Sequence, residues 1–229
     1  MLKAVLLDAG GTLIHPDHGF LLELLAEEGV EADEADYGAA RRKADAVVAQ
    51  LLRGDDPADD APRIRAWFVT LLTTLGLPAD RLDEAGRRIR QRHEQARLWI
   101  RPEPGTIETL RELRAAGLRL AVVSNADGRV DRFLAAAGLA DELELILDSG
   151  DVGIEKPDPR IFELALDRLG LEPHEVVHVG DSWEIDVVGA RRAGIRPIYL
   201  SGTDREGATR IAGIRDLPAA LGLEPASAD

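Results

Sequence analysis

One repeated pattern limits what this chain can become: a short apolar run that stops at a small polar or acidic residue, then an amphipathic stretch closed by glycine. Residues 3–7 (KAVLL) lead into Asp8-Ala9-Gly10-Gly11-Thr12, 118–123 (LRLAVV) into Ser124-Asn125, 143–147 (LELIL) into Asp148-Ser149-Gly150, and 176–179 (VVHV) into Gly180-Asp181. Runs this short and this apolar read as strands buried on both faces, and residues 196–200 (RPIYL) supply a fifth. Between them, 107–116, 130–137, 159–169 and 185–193 carry helical spacing, and each is followed by a glycine suited to ending a helix. Strand alternating with helix predicts a parallel, doubly wound α/β sheet, because parallel neighbours need a long crossover.

Residues 15–101 break the alternation. They hold no convincing strand and read as amphipathic helices separated by Gly54-Asp55-Asp56-Pro57 and Gly76-Leu77-Pro78. Arg101-Pro102-Glu103-Pro104-Gly105 is a stiff linker back into the sheet pattern. The expected organisation is therefore a core of residues 1–14 and 102–229 with an all-helical insertion over 15–101. A length of 229 residues suits a core plus an insertion at roughly 150 residues per domain.

Composition removes several classes of function. Cysteine is absent, which excludes disulfides, a thiolate nucleophile and protein-held iron–sulfur clusters. The net charge of −14 and the lack of a large Lys/Arg block argue against nucleic-acid binding. No apolar stretch approaches the roughly 18 residues that cross a bilayer, so no membrane association is expected. The N-terminal apolar run is too brief for a secretory leader, and the chain is read as cytoplasmic. Its oligomeric state is not legible.

Ligands of open α/β sheets bind beyond the carboxyl ends of the strands, where loops and helix N-termini converge. Asp8, Ser124 and Asp181 follow three different strands, and Lys156, one of three lysines, can reach the same rim from Ile154-Glu155-Lys156-Pro157-Asp158. Two carboxylates, a hydroxyl and an ammonium suit an anion held beside a hard cation, which is the logic of phosphoryl transfer. Mg²⁺ takes oxygen ligands octahedrally, and Asp8, Asp181 and a carbonyl near Gly10 could supply three. Asp8 would then be a carboxylate nucleophile. Lys156 would offset charge, while Ser124 and the N–H groups around Gly11 and Thr12 bind phosphoryl oxygens.

These residues resemble the haloacid dehalogenase-like hydrolase superfamily, whose pattern is a strand with D-x-D-G-T, a strand ending in Ser or Thr, a Lys, and G-D-x-x-x-x-D. The matches are Asp8-Ala9-Gly10-Gly11-Thr12-Leu13, Val122-Val123-Ser124-Asn125, Lys156-Pro157-Asp158-Pro159-Arg160-Ile161-Phe162 and Gly180-Asp181-Ser182-Trp183-Glu184-Ile185-Asp186. The resemblance implies a Rossmann-like core with a helical cap, and a Mg²⁺-dependent phosphatase acting on a small phosphorylated metabolite through an aspartyl-phosphate. It places Asp8, Ser124 and Lys156 in catalysis, Gly11, Thr12 and Asn125 at the substrate, and Asp8, Gly10, Asp181 and Asp186 at the metal. Asp186 also reads as support behind the metal or Lys156, or as an acid in the first turn of a helix.

Gly10 departs from the family pattern. In the family's phosphatases a second Asp at that position protonates the leaving group and then activates water. A slow or silent phosphate- and metal-binding member, or a 2-haloacid dehalogenase, therefore stay open as alternatives. The dehalogenases also lack that acid, but usually carry Ser and Asn where Gly180-Asp181-Ser182 stands here.

The remaining polar residues have plainer readings. His15, Asp17 and His18 could sit at the mouth of the site or in a linker, and Arg41-Arg42-Lys43 and the basic run 87–93 could meet an anion or be solvated helix faces. A Schiff-base role for Lys43, as in phosphonoacetaldehyde hydrolases, lacks a second matching feature. His174 reads as loop surface and His178 as a strand residue. Trp67, Phe68 and Trp99 are expected to pack the insertion, and Trp183 either lines the pocket or packs beside it.

Overall fold

The computed structural model describes residues 1–51, 60–200 and 205–223; the expected break at 54–57 lies outside them. The strands are β1 (Ala4–Leu7), β2 (Ile14–Pro16), β3 (Trp99–Pro102), β4 (Arg119–Ser124), β5 (Leu145–Asp148), β6 (Val176–Gly180), β7 (Arg196–Leu200) and β8 (Thr209–Ile211). Six form one sheet in the order β5-β4-β1-β6-β7-β8, with parallel neighbours throughout. The order reverses at β1: the chain first builds outward through β4 and β5, then returns to add β6 on β1's other side. Asp8 and Asp181, one residue beyond β1 and β6, stand at that switch point, where open sheets leave a crevice.

The helices are α1 (His18–Glu27), α2 (Glu34–Leu51), α3 (Asp60–Thr74), α4 (Leu82–Glu94), α5 (Thr106–Ala115), α6 (Val130–Ala136), α7 (Ser149–Val152), α8 (Pro159–Leu169), α9 (Val188–Arg192) and α10 (Leu217–Ala220). Helix α8 shows how sequence sets an element. Asp158 caps its first turn by accepting from Arg160 N, Pro159 opens it, and Gly170 ends it at φ 64°. Its apolar stripe of Ile161, Phe162, Ala165, Leu166 and Leu169 then buries against Leu6, Ala121 and Val123 of the sheet.

The chain divides into two compact units, residues 1–15 with 99–229, and residues 16–98. The second unit holds α1 to α4. Leu21, Leu24 and Leu25 of α1, Ala40 and Ala44 of α2, Leu71 and Leu72 of α3 and Ile89 of α4 are buried. Trp67 Nε1 donates to Asp45 Oδ1 at 2.6 Å, tying α3 to α2, and Arg92 Nη2 donates to the buried Asp17 Oδ2 at 2.7 Å.

Two expectations need correction. The margins of the 15–101 segment are not free of strand, because β2 and β3 pair as a two-stranded ribbon. Segments of three and four residues that include proline are too short for a periodicity to register. Strand β8 escaped notice for the same reason. The helix expected over 185–193 instead begins as a π-helical turn, Trp183–Val187, with α9 after it. Ser182 O accepts from both Asp186 N (2.9 Å) and Val187 N (3.3 Å), which widens the turn.

Phe162 is fully buried between α8 and the sheet. Phe162→Ala is expected to lower stability by about 3–5 kcal/mol in urea unfolding, the usual result of emptying a packed aromatic site.

Candidate active site

The carboxyl ends of β1, β4 and β6 bring the predicted residues together. Asp8 continues β1, its backbone N donating to Val179 O at 2.8 Å, and the residue is 6% exposed. Lys156 Nζ donates to Asp8 Oδ1 and to Asp186 Oδ1, both at 2.7 Å, from a position only 2% exposed. Ser124 Oγ makes a long contact of 3.5 Å with Asp8 Oδ1. Asp186 is held further, since His178 Nε2 lies 3.0 Å from Oδ1 and Ser182 N donates to Oδ2 at 3.0 Å.

Two glycines make room for this packing. A Cβ on Gly180 would stand 2.2 Å from Asp186 Cγ, and one on Gly11 would stand 2.3 Å from Asp181 Oδ2. Gly11 also sits at φ +87°, a conformation that only glycine adopts readily. After β1 the chain winds tightly, with Leu13 N and Ile14 N both donating to Ala9 O. That turn leaves Thr12 Oγ1 buried with no hydrogen-bond partner in the protein.

The electrostatics follow from burial. Desolvation pushes the Asp8 carboxyl up, with the Lys156 charge pulling against it. Desolvation likewise opposes the Lys156 ammonium, but Asp186 and Asp8 outweigh it and hold the pKa above the usual lysine value. Asp186 is lowered, because Lys156 and His178 overcome its own burial. Asp8, Asp181 and Asp186 each offer a carboxylate oxygen within 4.8 Å of the others. Three carboxylate oxygens this close together are the kind of donor set that a hard divalent cation takes.

Asn125, expected at the substrate, has both ends of its amide on Lys156: Nδ2 donates to Lys156 O at 2.9 Å and Oδ1 accepts from Lys156 N at 2.8 Å. Gly10 is exposed, and a Cβ there would meet only the Trp99 ring, at 3.6 Å and beyond. Trp99 thus sits in β3 beside Gly10, where it had been expected to pack the insertion. His15 is buried in β2, 3.4 Å from Glu103 Oε1. Within the helical unit, Asp17 pairs with Arg92, His18 Nε2 lies 3.5 Å from Glu34, Lys43 is exposed, and Arg88 donates to Glu27 at 2.6 Å. Trp183 packs edge-on to Tyr199 with the Arg205 guanidinium over its ring at 5.0 Å. His178 was missed as part of the site; its one signal was a histidine inside an apolar strand run.

A doubly wound sheet with an aspartate, a lysine and further acids at its switch point defines a hydrolase of the haloacid dehalogenase-like kind. The chain belongs to that family: it matches the haloacid dehalogenase-like hydrolase description over residues 2–194. A glyceraldehyde 3-phosphate phosphatase of Methanopyrus kandleri is 31% identical over 209 residues, covering 87% of this chain and 84% of that protein. An (S)-2-haloacid dehalogenase 4A of Burkholderia cepacia is 40% identical over 103 residues, covering 43% and 42%. The crystal structure of a HAD phosphatase from Thermococcus onnurineus superposes with a TM-score of 0.61 at 28% identity, covering 97% of this chain and 99% of that one. Matches to the first curated relatives span 40% to 51% of those proteins' lengths. Among the described residues no helix is long and apolar enough to cross a membrane.

Lys156→Met leaves two buried carboxylates without their ammonium. In the presence of a chelator this variant is expected to lose about 3–5 kcal/mol in urea unfolding; an unchanged midpoint would mean that the pair carries no charge.

Proposed function

We propose that this protein is a Mg²⁺-dependent phosphatase of a small phosphorylated metabolite that works through an aspartyl-phosphate on Asp8. The observation that carries the reading is the buried Asp8–Lys156 contact of 2.7 Å with Asp181 and Asp186 grouped beside it. The relative of Methanopyrus kandleri that aligns along most of the chain bears a phosphatase name, which supports the same class. Residues 15–101 are read as the cap that selects the leaving group.

In the first step an Asp8 carboxylate oxygen attacks phosphorus, the bond from phosphorus to the leaving oxygen breaks, and that oxygen takes its proton from solvent, Gly10 having none to give. In the second, water attacks phosphorus, the bond from Asp8 oxygen to phosphorus breaks, Asp8 leaves as the carboxylate and the water's protons go to inorganic phosphate and solvent. Lys156 keeps its charge between two carboxylates and neutralises the phosphoryl oxygens as they approach. Thr12 Oγ1 and Ser124 Oγ are the donors for those oxygens, whereas the Gly11 and Thr12 N–H groups, expected to join them, already donate to Ile14 O and Ala9 O within the turn. Mg²⁺ would be held by Asp8, Asp181 and the Gly10 carbonyl, with Asp186 beside them, and would supply charge neutralisation at the phosphoryl group. Asn125 holds the Lys156 loop in register with β4.

The test is hydrolysis of an aryl phosphate, whose leaving group needs little protonation. Turnover is expected to require Mg²⁺, to stop with a chelator, and to vanish in Asp8→Asn while that variant keeps its circular dichroism; undiminished turnover in Asp8→Asn would sink the nucleophile assignment. Gly10 favours a second, weaker reading, a protein that binds phosphate and Mg²⁺ without turnover, and this would show as a raised Tm with both ligands and no hydrolysis. The Gly10 backbone has room for a side chain. Gly10→Asp is therefore expected to fold and to raise the rate on alkyl phosphates more than on aryl phosphates, because it adds a proton donor.

A further inference from the structure

His178 is the one member of the buried polar chain without a role in the steps above. It lies in the middle of β6, fully buried, with Leu6 of β1 and Pro197 of β7 as its register partners. Val176, Val177 and Val179 on the same strand are all apolar. A valine or leucine would fill this position without a polar atom to satisfy. The imidazole instead leaves Nδ1 buried with no hydrogen-bond partner, and packs edge-on to Phe162 at a centroid separation of 4.9 Å. A buried nitrogen without a partner costs stability, so the ring's other nitrogen must contribute something an aliphatic side chain cannot.

That nitrogen, Nε2, lies 3.0 Å from Asp186 Oδ1, the same oxygen that accepts from Lys156 Nζ at 2.7 Å. A carboxylate oxygen only accepts, so the ring presents its N–H at Nε2. Ser182 N holds the other oxygen at 3.0 Å. Three donors from three places in the chain therefore fix one carboxylate. We propose that His178 is a positioning residue for Lys156, acting through Asp186. By sharing Oδ1, the imidazole fixes the carboxylate rotamer and draws part of its negative charge, so the ammonium stays poised on Asp8 rather than withdrawing onto Asp186. The inference rests on the phosphatase reading for its kinetic consequence, but the hydrogen bond itself does not.

The experiment compares His178→Leu, His178→Gln and His178→Asn on an aryl phosphate with Mg²⁺. Glutamine can place an amide N–H near the Nε2 position, whereas the shorter asparagine places it near Nδ1. His178→Leu is expected to lower kcat by about 10- to 100-fold with little change in KM, the usual effect of removing a partner behind a functional group. His178→Gln should recover most of that loss and His178→Asn should not, although all three keep a cooperative thermal transition. Wild-type kcat in the leucine variant, or equal recovery by glutamine and asparagine, would overturn the proposal. A second readout needs no turnover: in the ¹⁵N spectrum of histidine-labelled protein, the ring absent from the His178→Gln sample should carry its proton on Nε2. A bare Nε2 with the proton on Nδ1 would overturn the proposal even if the wild-type protein hydrolyses phosphate esters. If it hydrolyses none, the phosphatase reading falls and the ring signal alone decides this one.

Discussion

Placing a lysine ammonium inside a protein is costly unless its charge is met on every side. Lys156 meets that condition with Asp8 on one side and Asp186 on the other, each at 2.7 Å, and much of the core can be read as the means of holding those three groups. Asp8 is fixed because β1 is fully buried between β4 and β6. Asp186 is fixed by Ser182 N and His178 at the widened turn. Lys156 is fixed by its backbone, through Asn125 at the end of β4. The residues that meet here come from positions as far apart in the chain as 8 and 186, so the cluster exists only when the central strands are assembled.

The same geometry explains where glycine is required. Gly11 and Gly180 stand where a carboxylate must approach the backbone more closely than any Cβ allows. Gly11 lies in the loop that leaves β1 and Gly180 is the last residue of β6, the two strands flanking the switch point. The crevice of a doubly wound sheet offers loops and free N–H groups, and these two residues turn that space into one that acids can enter.

Much of this was legible from the residues. Five of the six strands of the main sheet could be read as apolar runs, because a strand covered on both faces has no polar side to show. Asp8, Ser124 and Asp181 stood out because each marks a strand end, and Lys156 because it is one of three lysines and lies within reach of the same rim. The ribbon of β2 and β3 and the strand β8 were not legible, since three or four residues carry no period. What Asn125 and His178 bind was hidden for another reason. Their partners lie 31 and 8 residues further along, and only the fold shows that the amide clasps a backbone and the imidazole a carboxylate. Gly10 was conspicuous in the sequence, but its neighbour Trp99 was not.

The way Asn125 is attached has a consequence for how such a site can change over time. Its amide binds the main chain at position 156 and ignores the side chain, so the shape of that loop and the charge it delivers are set by different residues. A substitution at 156 can alter or remove the cation while the loop keeps its course, and a substitution at 125 can loosen the loop while the cation remains. The scaffold can therefore be inherited intact by descendants whose chemistry at this position has drifted, and resemblance in backbone trace is a poor guide to which of them still turn over substrate.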